Sequence, residues 1–341
     1  MGNKRSKNED PEYFYDEDFP HTDDSLLENN DNSEVEWIKA EEIFEDGELF
    51  GEISTDDVSQ GSMGNCWFIS AIAALAEFPD LVQNLFITQE IPEDGRYELQ
   101  IFDLRTNEWE SVEIDSYIPS LNKTPIYCTS NKNKLWPLLL EKAVAKFCGT
   151  YRNFGAYISG LVFPHLTGMR TVVFSREEVE ITDRWKRSTH KFDIENGINY
   201  IDGTDEKYSL EELFDLLVEH NENEDIMTCS AYLYKIENDA RGITASHVYS
   251  LTDAVRADDF MLLKLRNPWG YGEWEGDWCD DSELWEEYPE VKEALGFEPA
   301  DDGSFWISLE DFSKRFDDIT VCIRGDEIED SSEYLGGDSD E

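Results

Sequence analysis

In CWFISAIAALAEF (66–78) the apolar side chains Phe68, Ile69, Ile72, Leu75 and Ala76 recur at three- and four-residue spacing, and the run stops at Pro79. That period predicts an amphipathic helix opening at Cys66. LWPLLLEKAVAKFCG (135–149) repeats the pattern, with Gly149 as its stop. YSLEELFDLLVEH (208–220) adds a capped helix, Ser209 followed three residues on by Glu212. Elsewhere the rhythm is that of strands. YELQIFDLRTNEWESVEID predicts a hairpin turning at Thr106–Asn107, and IMTCSAYLY, HVYSLTDAV, FMLLKLRNP and DITVCIRG crowd the second half. The order predicts an α+β fold of two unlike lobes, helix-rich over 45–170 and β-rich over 171–325, meeting at a cleft.

The flanking segments lack either period. Residues 1–44 and 326–341 are acidic and rich in Asn, Ser or Gly, and are expected to lie outside the core as disordered tails. Composition sharpens this picture in one respect. The chain has 28 Lys+Arg against 78 Asp+Glu, a formal charge of −50 over 341 residues. Such a surface repels nucleic acid and gathers cations and basic partners. Neither a signal-peptide pattern nor an apolar run of bilayer length is present, so a cytoplasmic protein is expected. At the N-terminus, MGNKRSKN carries Gly2 and Ser6 in the spacing of a myristoylation signal, which by itself gives only weak membrane association.

Six cysteines without tight spacing suit neither a disulfide framework nor a zinc site. Five of them sit in apolar segments as small core residues. Cys66 differs. It follows QGSMGN at a helix N-terminus, where unpaired N–H groups and the macrodipole favour a thiolate. Gly61 and Gly64 permit a tight turn there, and the Cys66 N–H with the Gln60 side-chain amide would supply two donors to an oxyanion. A thiol nucleophile needs a base. His21, His165, His190 and His220 lie in irregular or charged surroundings, whereas His247 opens a strand. A hairpin folded about residue 257 would set position 247 opposite Asn267, whose side-chain carbonyl can orient an imidazole without carrying charge.

QGSMGNCWF, SHVYSLTDA and LKLRNPWGYGEWEGDW resemble the signature segments of the calpain family of papain-like cysteine proteases. LLLEKAVAK and DDGSFWISLEDFSKRF are similar to further core segments of that family, in the same order. The resemblance implies Cys66 as nucleophile, His247 as base and later acid, Asn267 as its orienter and Gln60 in the oxyanion hole. It places Trp269 in the cleft, and Gly168 and Ser246 beside the substrate backbone. The family shows a second glycine where Met169 stands, and a glycine where Ser246 stands. It also implies core calcium sites: Asp57 in the first lobe, where Arg152 replaces an expected glutamate, and Glu273, Asp280 and Asp302 in the second, with the Ala300 carbonyl nearby and Ser304 in place of another glutamate. With no EF-hand loop in the sequence, calcium would act through this core. Residues 175–207 read as a charged, partly strand-like insertion. Three readings follow. They are an intracellular calcium-regulated endopeptidase acting on protein substrates, a catalytically silent calpain-like binding module, and an acyl-transfer enzyme of transglutaminase type.

Overall fold

The computed structural model describes residues 13–26, 35–44, 46–62, 65–153, 161–176, 184–193, 198–231 and 240–336. Gly2, Ser6, Met63 and Gly64 lie outside them.

The first half supplies seven short strands: β1 (Glu36–Lys39), β2 (Ser59–Gln60), β3 (Arg96–Asp103), β4 (Glu108–Asp115), β5 (Tyr117–Leu121), β6 (Thr124–Pro125) and β7 (Cys128–Thr129). They form small antiparallel sheets, β1–β5–β6, β2–β7 and β3–β4. Interleaved with them run α1 (Ala40–Ile43), α2 (Cys66–Leu75), α3 (Pro79–Asn84), α4 (Trp136–Phe147) and α5 (Val162–Thr167). The periodicity of α2 suggests one apolar face, yet every residue from Phe68 to Leu75 is buried. The reason lies on its other side. Ser70, Ala71, Ala73 and Ala74 are small enough to let a second layer of structure approach the helix closely.

That layer is a nine-stranded sheet built from β8 (Met169–Arg176), β9 (Arg184–Asp193), β10 (Ile198–Ser209), β11 (Ile226–Ala231), β12 (His247–Ala257), β13 (Phe260–Arg266), β14 (Ser304–Ser308), β15 (Asp318–Glu327) and β16 (Leu335–Gly336). Its order is β10-β9-β8-β15-β11-β12-β13-β14, with β16 alongside β9. The expected insertion therefore extends the sheet as β9 and β10. Helix α6 (Leu210–Glu222) starts from the Ser209–Glu212 capping box that the sequence announces, and α7 (Leu309–Arg315) follows β14. One apolar core centres on α2, α4 and the β3–β4 hairpin, and another on the large sheet with α6 and α7.

Both expected tails contribute to packing. Phe19 and Leu26 are buried with Ile126, Tyr127, Ala145 and Tyr151, and the Lys146 Nζ donates to Asp16 at 2.8 Å. At the other end Ile328 and Tyr334 are buried with Phe102, Leu104 and Leu161. The Tyr334 hydroxyl accepts from the Thr171 N–H at 2.8 Å. A few large side chains anchor these stretches despite their acidic composition.

The hairpin also differs from its expected register. It turns at Asp258–Asp259, and a bulge near Thr252 sets Ser250 against Arg266. Asn267 consequently lies just past the end of β13 and is not the cross-strand partner of His247.

Candidate active site

Gln60 ends β2, paired with Cys128 of β7, and Gly61 follows where no side chain fits. A Cβ on Gly61 would stand 2.6 Å from the carbonyl oxygens of Ile126 and Tyr127. This glycine is present because two backbones meet. Asn65 then starts α2, its carbonyl accepting from the Phe68 and Ile69 N–H groups, so that those of Cys66 and Trp67 are left to serve the thiol.

Cys66 is half-buried. Burial pushes its thiol up, and the N–H groups of Val248, Trp67 and Cys66 itself pull the other way. Cys279, also half-buried, is raised by burial and by the charges of Asp281, Asp280 and Asp277, with one backbone N–H, that of Asp281, opposing. Cys128, Cys148, Cys229 and Cys322 are all raised by burial, Cys322 to about 12. Only Cys66 combines partial access with a set of backbone donors.

The Val248 contact matters because Val248 follows His247. Helix α2 is tied to the same strand by reciprocal bonds: the Ser70 hydroxyl donates to the Val248 carbonyl at 2.6 Å, and the Ser250 hydroxyl to the Ser70 carbonyl at 3.0 Å. Neither serine stands out in the sequence. Their signal is a hydroxyl inside an otherwise apolar run.

His247 is buried, and its Nε2 lies 2.9 Å from Asn267 Oδ1. The Asn267 amide has only one consistent orientation. Its Oδ1 also accepts from the Trp269 N–H at 3.1 Å, and its Nδ2 donates to the Gly272 carbonyl at 2.9 Å. The imidazole Nε2 must then carry the hydrogen, which leaves Nδ1 as the proton acceptor. Burial lowers the His247 pKa, with the Asn267 bond opposing. Burial thus opposes charge on the thiol and on the imidazole alike. No hydrogen bond joins Cys66 directly to His247 among the described residues.

Trp269 completes the group. Its ring lies 4.4 Å from the His247 ring, and its Nε1 donates to Gln60 Oε1 at 2.8 Å. With the amide oxygen committed to the indole, Gln60 presents its Nε2 as the donor. The structure thus brings together Cys66, His247, Asn267, Gln60 and Trp269.

Other expected residues lie elsewhere or differ in role. Gly168 caps α5 with φ 64°, and a Cβ there would meet the Trp109 ring at 3.1 Å. Its carbonyl accepts from the Ile328 N–H at 2.8 Å. It is a packing glycine against β3–β4, not a wall of the Cys66–His247 group. Ser246 is exposed beside His247 and adopts φ 53°, a left-handed conformation costly for a residue with a Cβ. Ser246→Gly is expected to raise stability by up to about 1 kcal/mol, the relief of strain less the added entropy of the unfolded chain, read as a higher urea midpoint at unchanged m.

The calcium residues divide. Asp57 is fully buried, and its carboxylate accepts from the Ser54 N–H at 3.1 Å and from Trp136 Nε1 at 3.2 Å. It closes a capping box with Ser54 and does not fit as a metal ligand. Glu273, Asp280 and Asp302 accept the backbone N–H groups of Gly303, Ala300 and Ser304 at 2.8 Å, and the Asp302 N–H also reaches Glu273. Burial raises Glu273 and Asp280, and the charges of their acidic neighbours add to it. Three hard oxygen donors that repel one another fit a divalent cation in kind. Among the described residues they are not drawn together as a ready cluster, and Lys264 lines the same cavity of about 190 Å³ as Asp280 and Asp302.

The profile described as "Calpain family cysteine protease" matches residues 14–323. Calpain-5 of Mus musculus is 31% identical over 337 residues, covering 91% of this chain and 49% of that protein. Calpain-B of Drosophila melanogaster is 30% identical, covering 91% and 32%. The calpain-type cysteine protease ADL1 of Oryza sativa subsp. japonica is 31% identical, covering 91% and 14%. The chain therefore spans less than half the length of each of these relatives. A triad-like group in the order Cys, His, Asn and a match over nearly the whole described chain agree, and the chain belongs to the calpain family of cysteine proteases.

Proposed function

We propose that this chain is a papain-like, two-lobed cysteine endopeptidase core that cleaves proteins through a thioester. The observation that supports the reading best is the Asn267 amide, whose bonds fix the hydrogen on His247 Nε2 and leave Nδ1 to accept the thiol proton. In the first step the Cys66 proton passes to Nδ1 and sulfur attacks the peptide carbonyl. The Cys66 N–H and Gln60 Nε2 receive the oxyanion. The imidazolium then protonates the departing amine, leaving a thioester, which water cleaves with His247 again as base.

Glu273, Asp280 and Asp302 would hold Ca²⁺, which when bound neutralises their mutual repulsion beside the strand that leads to Asn267. The reading places the enzyme in the cytoplasm. Its charge of −50 favours substrates with basic surfaces, and membrane attachment would come from acylation of Gly2.

A peptide-based thiol electrophile and a fluorogenic peptide test this together. Labelling is expected in wild type and in Cys279→Ala, and is lost in Cys66→Ala. Turnover is expected to fall at least about tenfold when the metal is chelated, consistent with a coupling of more than about 1.4 kcal/mol. Turnover unchanged by chelation removes the calcium part alone. An unlabelled, inactive wild type that binds basic proteins makes the chain a silent module.

A further inference from the structure

Glu141 sits in the middle of α4, 2% exposed, and takes no part in the scheme above. Its Oε1 lies 2.5 Å from the Asn65 side-chain amide, and its Oε2 accepts from the Cys128 N–H at 2.9 Å. Asn65 immediately precedes the nucleophile, and Cys128 pairs with Gln60. This single carboxyl group thus touches the two segments that carry the nucleophile and the oxyanion donor.

We infer that Glu141 is held as an uncharged carboxylic acid whose O–H donates to the Asn65 side-chain oxygen, making it a positioning residue for Cys66 and Gln60. Three observations carry this. First, no cation is paired with Glu141 among the described residues; its chain neighbour Lys142 is engaged with Asp115 and with the Tyr117 carbonyl. The groups that face it are Cys128 of β7, Tyr127 just before it and Tyr151 beyond the end of α4, and none of these carries positive charge. A buried carboxylate without a cation is costly. Second, Glu141 Oε1 and the Asn65 side-chain amide are in direct contact, close enough for either group to be the donor. An Asn amide turned through 180° puts Oδ1 where the acid can donate to it. The turn exchanges an unpartnered Oδ1 for an unpartnered Nδ2, so counting polar partners does not decide between the two; the buried charge does. Third, burial raises the Glu141 pKa to about 8, against the bonds from Cys128 and Asn65. Burial thus favours the neutral acid over the carboxylate.

The inference rests on the peptidase reading only for its effect on turnover, so the test has an arm free of activity. Isotope-edited infrared spectra of Cys66→Ala at pH 7 are expected to show a carboxylic-acid C=O band that is absent from Cys66→Ala/Glu141→Gln. Glutamine reproduces the neutral acid, donating to Asn65 Oδ1 through Nε2 and accepting the Cys128 N–H through Oε1. Glu141→Gln should keep kcat within about threefold of wild type, whereas Glu141→Ala should lower it at least about tenfold with little change in KM. Alkylation of Cys66 by iodoacetamide, followed in the same three proteins, should separate in the same order. An ionised carboxylate band at pH 7 overturns the inference, and so does a Glu141→Gln protein that is folded yet as impaired as Glu141→Ala. If Glu141→Ala does not fold, the infrared arm and the Glu141→Gln comparison still decide. Wild type without turnover refutes the peptidase reading and leaves the infrared result to judge Glu141.

Discussion

Asn267→Ala is expected to lower kcat by between about 10² and 10⁴, with KM nearly unchanged. The truncation removes the acceptor that holds His247 Nε2–H at 2.9 Å and the bond to the Trp269 N–H at 3.1 Å. Without them the imidazole is free to take the other tautomer or to rotate, and either removes the lone pair at Nδ1 from the thiol. The loss belongs to kcat because Asn267 is fully buried and does not line a substrate contact of its own. Steady-state kinetics on a peptide substrate, with circular dichroism to confirm folding, reads the result. A kcat within threefold of wild type would show that the ring is held by something else.

Lys142→Met is expected to destabilise the fold by about 3–5 kcal/mol near neutral pH, read by urea unfolding. Lys142 and Asp115 are both completely buried and paired, and Lys142 Nζ also donates to the Tyr117 carbonyl at 2.7 Å. Burial alone would raise Asp115, but the Lys142 charge, His21 and the Asp16 N–H outweigh it and hold the carboxyl at about 2. A depressed carboxyl stabilises the native state above its unfolded pKa of about 3.9 and loses that contribution as pH falls toward 2. Methionine leaves the Asp115 charge buried without its cation. The deficit should therefore be largest at neutral pH and shrink below about pH 4, where wild type loses the pair too. Adding Asp115→Asn should recover part of the loss, since it removes the orphaned charge, while its single amide oxygen can serve only one of the Asp16 and Tyr117 N–H groups that now bond separate carboxylate oxygens. Equal stability of wild type and Lys142→Met at pH 7 would overturn the argument.

The helix behind Cys66 and the strand behind His247 were legible because their periods are strong and their ends carry marked residues. The contact between His247 and Asn267 was also legible, although for a partly wrong reason. A turn at Asp258–Asp259 and a bulge near Thr252 change the register, and Asn267 reaches the ring from beyond the strand. The family resemblance points to Asp57 as a calcium ligand, and in the fold its carboxylate is engaged in the capping box with Ser54. Composition marks the two ends as acidic and is blind to the anchoring of Phe19 and Tyr334 by burial. Asn65 and Glu141 are 76 residues apart and stand in segments that look purely structural. Pairing at such a distance leaves no trace in local pattern. It becomes visible only when the chain is folded.

One indole stands between the glutamine that serves the first half of the chain and the imidazole that serves the second. If the halves part, Trp269 leaves with its own side, and the glutamine amide and the imidazole lose the same neighbour in one event. On the proposed reading the oxyanion donor and the base would then be disarmed together, so that assembly of the site is all-or-none at this side chain.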